Sequence, residues 1–449
     1  MDKNKEILFS LLINVLAVIA IVIMVSIELF YLIRGHRKFK AAEKTDGKIP
    51  VEIFRFIVFL IFFFTNLTSA ILPIYSLKLS EGSGVTEYIS PIMLSALPIS
   101  SEVFSGAIFS LMGGSILNKL GARRSIMISS ALFTLGLVLR AIPNIFVLIF
   151  SALLLGAGWG VLLILVNILL ADLPDEEKVR GYAYYSISAL SGINSAVVLG
   201  GFMIQWMNYP TLFIITGIWS ISLFLACRYY LDQEIPFSSG AEKGKNLITD
   251  TLVFLRNPGV LIFFIFIMIP LLISGYFMTY LFPILGSDWG MSESHIGYSY
   301  LLSGAVVLTV TSKLSSYLSS RKMKHVGLAV SAFLYAAAFL AVAFFQNIPV
   351  LLASILLLGL AESFSTLLPA YFTDLRAAEK YGYDRAWGLY SLIENVAQSL
   401  GSFVFGYVLI LGLKRGLMLV LTVLTVFGAI FLIRSVIIIK NERIKEEKG

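Results

Sequence analysis

The chain has 449 residues, of which 58% are hydrophobic and only 14% charged, against about 45–50% and about 25% for an ordinary soluble domain. With a mean hydropathy of +0.89, its apolar runs are too long and too many for a soluble globular protein. The net charge of +7 does not point to a nucleic-acid partner, because the basic residues fall in short turns between apolar runs, where membrane orientation requires them.

The first apolar run, Ile7 to Ile33, predicts a transmembrane helix. It is long enough to cross a hydrocarbon layer of about 30 Å. It exceeds a signal peptide's apolar core, and no small-residue cleavage site follows it. Asp2 and Glu6 offset Lys3 and Lys5 before it, whereas Arg34, Arg37, Lys38, Lys40, Lys44 and Lys48 follow it. The positive-inside rule then predicts an outside N-terminus and a cytoplasmic segment at 34–52. Glu28, near the inner end, is expected to snorkel or to pair with a nearby base. Six further spans are predicted at about 53–79, 88–117, 125–142, 145–171, 181–206 and 211–231. Pro143-Asn144 and Asn208-Tyr209-Pro210 read as breakers at outer ends. Inner turns hold Lys119, Arg123 and Arg124, then Lys178 and Arg180, while Lys78 and Arg140 are basic exceptions on the outer side. Residues 232–256 read as a cytoplasmic linker. Six more spans follow at about 258–286, 294–318, 325–345, 349–374, 385–412 and 416–439, and the tail from Lys440 is basic. Lys414-Arg415 falls on the predicted outer side, against the rule.

The turn Gly113-Gly114-Ser115-Ile116-Leu117-Asn118-Lys119-Leu120-Gly121-Ala122-Arg123-Arg124 joins the second and third of these core spans. The glycine pair is read as ending one span and Gly121 as making the turn, since it has no Cβ to forbid positive φ. The two halves also repeat. Leu153-Leu154-Leu155-Gly156 ahead of Asp172 parallels Leu356-Leu357-Leu358-Gly359 ahead of Asp374. Arg180-Gly181-Tyr182-Ala183 parallels Arg385-Ala386-Trp387-Gly388, and Gly201 parallels Gly406. The basic turn resembles the signature loop of the major facilitator superfamily, with Asn118 in place of the usual Asp, and the segment from Pro174 to Gly181 resembles that family's loop between its fourth and fifth spans. This resemblance covers about 53–439. It implies an all-α integral membrane protein of two six-helix bundles related by a pseudo-two-fold axis, plus one extra N-terminal helix. The expected divisions are 1–52, 53–231, 232–256, 257–439 and 440–449. The run Gly192 to Gly201 keeps the final glycine pair of the family's drug–proton antiporters but has Ala196-Val197 where they carry Gly-Pro.

No enzyme is expected. Gly240 to Lys245 lacks phosphate-loop spacing, and Asn246 stands where Ser or Thr is needed. Gly156-Ala157-Gly158-Trp159-Gly160 lies inside an apolar run with no strand before it, so it reads as a helix-packing stretch. Cys227 is the only cysteine, and His36, His295 and His325 show no ligand spacing, so no metal and no cofactor are expected.

Chemistry therefore falls to intramembrane carboxylates. Glu102, Glu362 and Glu394 lie well inside predicted spans. A charge there costs about 2.5–3.5 kcal/mol on insertion scales and normally serves a function. By the resemblance, Glu362 is in a cavity-lining span and Glu102 and Glu394 are in spans at the interface of the halves. A carboxylate in a dry pocket can take and release a proton near neutrality; the alternative for each is a structural bond to a neighbouring helix. Small and hydroxyl residues around Glu362, and a carbonyl freed by Pro369, would admit water or a substrate group. Asn66 and Asn167 are polar candidates for the cavity. Tyr276 and Tyr280, at i and i+4, are candidates to stack on a substrate or else to face lipid or pack. Gly114, Asn118, Gly121, Arg123 and Arg124 are expected to serve the conformational switch. The expected function is secondary transport of a small organic molecule by alternating access, with proton-coupled export, in a cell membrane with lipids and protons as further partners. Uptake of a small solute is the near variant, and a membrane sensor or scaffold carrying residues 1–52 is the second class.

Overall fold

The computed structural model describes residues 3–42, 49–84, 88–171, 173–231, 247–321, 323–381 and 383–446. These are helical throughout, with no strand among them. In chain order the helices are α1 (Lys3–Ala42), α2 (Val51–Asn66), α3 (Leu72–Glu81), α4 (Pro91–Leu120), α5 (Ala122–Leu139), α6 (Ile145–Ala171), α7 (Asp175–Met203), α8 (Tyr209–Tyr230), α9 (Leu247–Leu255), α10 (Pro258–Phe263), α11 (Ile269–Tyr276), α12 (Phe282–Asp288), α13 (Glu293–Ser320), α14 (Lys324–Phe344), α15 (Ile348–Glu362), α16 (Leu367–Thr373), α17 (Arg376–Tyr381), α18 (Tyr383–Ile410) and α19 (Leu413–Glu446). Two π-helical turns, Phe264–Met268 and Phe277–Leu281, flank α11. Most of the linker read at 232–256, together with Asp172 and Lys322, lies outside the described residues.

Twelve helical segments among the described residues are long and apolar enough to cross a membrane, beginning with Ala17–Ala41. The span predicted at 53–79 is absent from that set because it is broken into α2 and α3. Its polar residues account for the break. Thr65 and Asn66 bond back to the carbonyls of Ile61 and Phe62 at 2.8 and 2.9 Å, a local alternative to the helix ladder. Ser69 and Ile71 then make three-residue turns until Pro73 restarts the helix.

A second predicted span, 349–374, divides after Glu362 into α15 and α16, joined by turns at 363–366. The free carbonyl expected from Pro369 is not found, since Ser365 O accepts from Leu368 N at 3.0 Å. The two breakers read from sequence prove to be caps at Asn144 and Asn208, and Asn257 and Asn347 cap in the same way. Asn144, Asn208, Asn257 and Asn347 each accept from a backbone N–H of the following first turn, where four such groups have no helical partner.

The chain divides into two compact units, residues 1–239 with 290–301, and residues 240–289 with 302–449. In the first, α6 packs on α4 and α5 through opposite faces of its glycine run. A Cβ on Gly156 would lie 2.2 Å from Glu102 O, one on Gly160 2.5 Å from Gly106 O, and one on Gly158 2.6 Å from Ser129 O. Small residues let these backbones meet. The second unit repeats the device, because a Cβ on Gly359 would lie 2.9 Å from Ser303. The matched Leu-Leu-Leu-Gly segments thus hold equivalent helix pairs, α6 on α4 and α15 on α13.

Helix α1 docks along the first unit. In its first half, Ala17 and Ile21 pack with Val198 and Tyr298. Deeper, Glu28 accepts both Arg55 Nε and Nη2, at 2.9 and 2.7 Å. Both residues are buried, and the Arg55 guanidinium lies 3.9 Å from the Tyr31 ring centre. Glu28 therefore pairs, as one of the two sequence alternatives held. Further along, Lys38 reaches Glu52 at 2.5 Å and His36 reaches the Tyr230 hydroxyl at 3.1 Å.

Candidate functional site

The loop thought to start at the glycine pair is shorter than expected. Helix α4 runs through Gly113, Gly114 and Asn118 to Leu120, and Gly113 packs against Ile164. The turn itself is Gly121 alone, at φ 76 and ψ 158. Only glycine populates that region freely, so this single position lets α5 begin at Ala122. Asn118, Arg123 and Arg124 stand exposed around it.

The three carboxylates occupy three different settings, and no hydrogen bond joins any two of them among the described residues. Glu102, on α4, is buried and ion-paired to Arg140 Nη2 through a very short contact. Arg140 also donates to the Thr68 hydroxyl at 3.3 Å, in the break between α2 and α3. Arg140 read as an outer-turn residue in the sequence. It is instead the C-terminal cap of α5 and only 1% exposed.

Glu394 is half-buried on α18, one turn from Tyr390. That ring joins Trp387, Phe372 and Phe263, with centroids 5.1, 5.0 and 6.4 Å away. Glu394 itself has no hydrogen bond or ion pair among the described residues.

Glu362 is the last residue of α15. It is exposed, and its Oε2 accepts from the Tyr335 hydroxyl at 2.7 Å. Tyr335 comes from α14 and is buried. Gly275 of α11 faces the pair, so that three elements of the second unit converge there. A carboxylate accepts up to about four hydrogen bonds when ionised, and among the described residues one is filled. The geometry allows Glu362 to exchange a proton with water or to hold a cationic group.

The remaining candidates divide. Asn66 closes α2, its amide spent on the Phe62 carbonyl. Asn167 is half-buried on α6 with no hydrogen bond among the described residues. Tyr280 is fully buried, and Tyr276 packs on Gly401 of α18. Tyr280 lies within the π turn Phe277–Leu281 that follows Tyr276. Tyr335, Arg140 and Gly275 were missed. Tyr335 had a faint signal, a hydroxyl one turn from Ser331 in an otherwise apolar, alanine-rich stretch.

The profile of the Major Facilitator Superfamily matches residues 54–402. The chain belongs to that superfamily. Membership and the apolar helices make it a multi-pass membrane protein. It is 25% identical over 195 residues to the quinolone resistance protein NorA of Staphylococcus aureus, covering 43% of this chain and 48% of that protein. It is 29% identical over 164 residues to the multi-drug resistance efflux pump PmrA of Streptococcus pneumoniae, covering 36% and 39%. The chain thus spans half or less of these curated relatives. Among solved structures it resembles a POT family transporter in complex with 5-aminolevulinic acid, at TM-score 0.68, 13% identity and coverage of 87% of this chain and 96% of that one. A peptide transporter POT in complex with sulfate aligns at TM-score 0.69 and 15% identity, covering 87% and 95%. At such identities the superfamily fold is what is shared.

Proposed function

We propose that this superfamily member exports a small amphipathic organic molecule in exchange for protons, and that Glu362 is the carboxylate that couples the two. The observation that carries the reading is the setting of Glu362, an exposed carboxylate at a helix break with one oxygen held by Tyr335 and its other acceptor sites open. Broken helices in transporters commonly carry the binding site. The family plan puts this span on the cavity. The names of the two efflux relatives, quinolone resistance and multi-drug efflux, support the outward direction and the substrate class. Glu394 and Glu102 are the next candidates for coupling. The protein sits in the cell membrane with its N-terminus outside and its C-terminus in the cytoplasm, by the distribution of basic residues.

Glu362→Gln keeps shape and removes charge. Proteoliposomes with an imposed proton gradient should show uphill flux of an amphipathic dye with the natural chain and none with Glu362→Gln, while exchange of dye across the membrane persists. Full gradient-driven flux from folded Glu362→Gln moves the role to Glu394 or Glu102. Absence of flux of any tested solute from the natural chain favours the sensor class.

A further inference from the structure

We infer that α1 is a built-in brake on the parting of α13 from α7, because it lies across the seam where the two meet. The inference stands apart from proton coupling and from Glu362. The deciding observation is what the first half of α1 touches. Its buried residues Ala17 and Ile21 pack on Val198 of α7 and Tyr298 of α13 together, with Val25, Leu199, Phe202 and Leu301 around them. At that place the two helices meet backbone to backbone. A Cβ on Gly201 would lie 2.9 Å from Gly297 Cα, and one on Gly297 would lie 3.0 Å from Val197 O. Val198 and Tyr298 each follow a residue of that contact in the chain, so α1 straddles the line along which the helices touch.

Leu301 is the last residue of α13 that groups with the first unit, and from Leu302 the helix groups with the second. A displacement of the second unit that carries α13 therefore pulls first on residues 290–301. Two fastenings hold them. One is polar. Glu293 accepts from the Tyr209 hydroxyl and lies 3.5 Å from Nζ of the exposed Lys78. An exposed ion pair of this kind is worth little and is screened by salt. The other is Tyr298, whose hydroxyl accepts from Gln205 Nε2 at 2.6 Å and whose ring is covered by α1. That cover is apolar, so close packing alone holds it. Helix α1 is not free to follow α13. Its second half is tied to α2, by Glu28 to Arg55 at 2.7 and 2.9 Å and by Lys38 to Glu52 at 2.5 Å. Ile21 stands two helical turns from Glu28, so a shift of Tyr298 loses its contacts with Ile21 rather than dragging α1 along. A helix fixed on one side and packed on the moving element at the other opposes the motion.

The test needs neither a known substrate nor a working flux assay. In a Cys227→Ser background, which removes the only native thiol, Ser294→Cys places a reporter at the seam. Ser294 is buried, and its carbonyl oxygen would lie 3.3 Å from a Cβ on Gly201. The rate at which N-ethylmaleimide reacts there reads how often the seam opens. Ile21→Ala should raise that rate at least about fivefold through the packing contacts it removes, and Ile21→Val should raise it by less. If α1 were only structural, its loss of packing would loosen the first unit as a whole. Native Cys227, buried on α8, reads that case. In a chain that keeps both Cys227 and Ser294, Ile21→Ala should leave the Cys227 rate as it is in the natural chain. Size-exclusion elution checks folding, and Ile21→Val carries the test if Ile21→Ala does not fold. An unchanged or slower Ser294→Cys rate in the folded variant, or an equal rise at Cys227, would overturn the brake. A graded rise at Ser294→Cys with Cys227 unmoved would support it.

Discussion

Among single residues, the carboxylates separate by what their removal would leave behind. Glu102→Gln strands Arg140, which is almost wholly buried. Breaking a buried pair from one side costs about 3–5 kcal/mol. The expected result is a lower thermal midpoint in detergent, with the double variant Glu102→Gln/Arg140→Gln recovering part of the loss. If the double variant is no better than the worse single one, the pair does not explain the instability. Glu394→Gln should leave the midpoint near that of the natural chain, since no partner is orphaned. The sequence exposed these acids because a charge in an apolar run is conspicuous. It hid their partners. Arg140 lies thirty-eight positions from Glu102, and its place at a helix end made it read as a surface residue. Tyr335 resembled any aromatic in an apolar helix, because the bond that gives it a role comes from packing between α14 and α15.

Among elements, the turn after α4 and the docking of α1 carry separate expectations. Gly121 has backbone angles open to glycine alone, so Gly121→Ala stores about 1–3 kcal/mol of strain. The turn is remote in sequence from every candidate acid but Glu102. The variant should therefore shift the inward–outward balance, read by distance probes on the two units, and leave substrate affinity unchanged. Arg123→Ala should behave the same way. A changed affinity with an unmoved balance would contradict this. For α1, Gly35 meets Glu52, with a Cβ there only 2.9 Å from Glu52 Cβ. Gly35→Val should push the C-terminal half of α1 from α2 and free Lys38 to react faster with an amine reagent. Unaltered reactivity would mean that the two helices part without cost. Most helix positions were legible because apolar length and Asn or Pro punctuation are local. The two breaks were not, since Asn66 and Ser363 look harmless in an apolar run and act by bonding to the turn before them.

Across the whole molecule, the repeat was the legible feature. Matched Leu-Leu-Leu-Gly segments proved to hold matched helix pairs in the two units, and the superfamily assignment followed. The opening turns of α13 were not foreseen. Residues 290–301 group with the first unit, whereas the rest of that helix groups with the second. A continuous apolar stretch gives no sign of such a division. Topology gives a global prediction. In the Cys227→Ser background, Asn4→Cys should react with an impermeant thiol reagent added outside intact cells and Ala41→Cys should not. The reverse pattern would invert every inside and outside assignment.

The Glu28–Arg55 pair bears on how the chain is made. The two residues are twenty-seven positions apart, so Glu28 leaves the ribosome before Arg55. A lone arginine in a nascent span is a poor candidate for partition into lipid, but a hairpin that neutralises it is not. Insertion of α2 would then wait on α1, and the first membrane-committed intermediate would be the α1–α2 hairpin. Pulse-labelled nascent chains should show Glu28→Ala delaying membrane integration of α2, with Glu28→Asp close to the natural rate. Equal rates for both would mean that α2 enters unaided and meets α1 only afterwards.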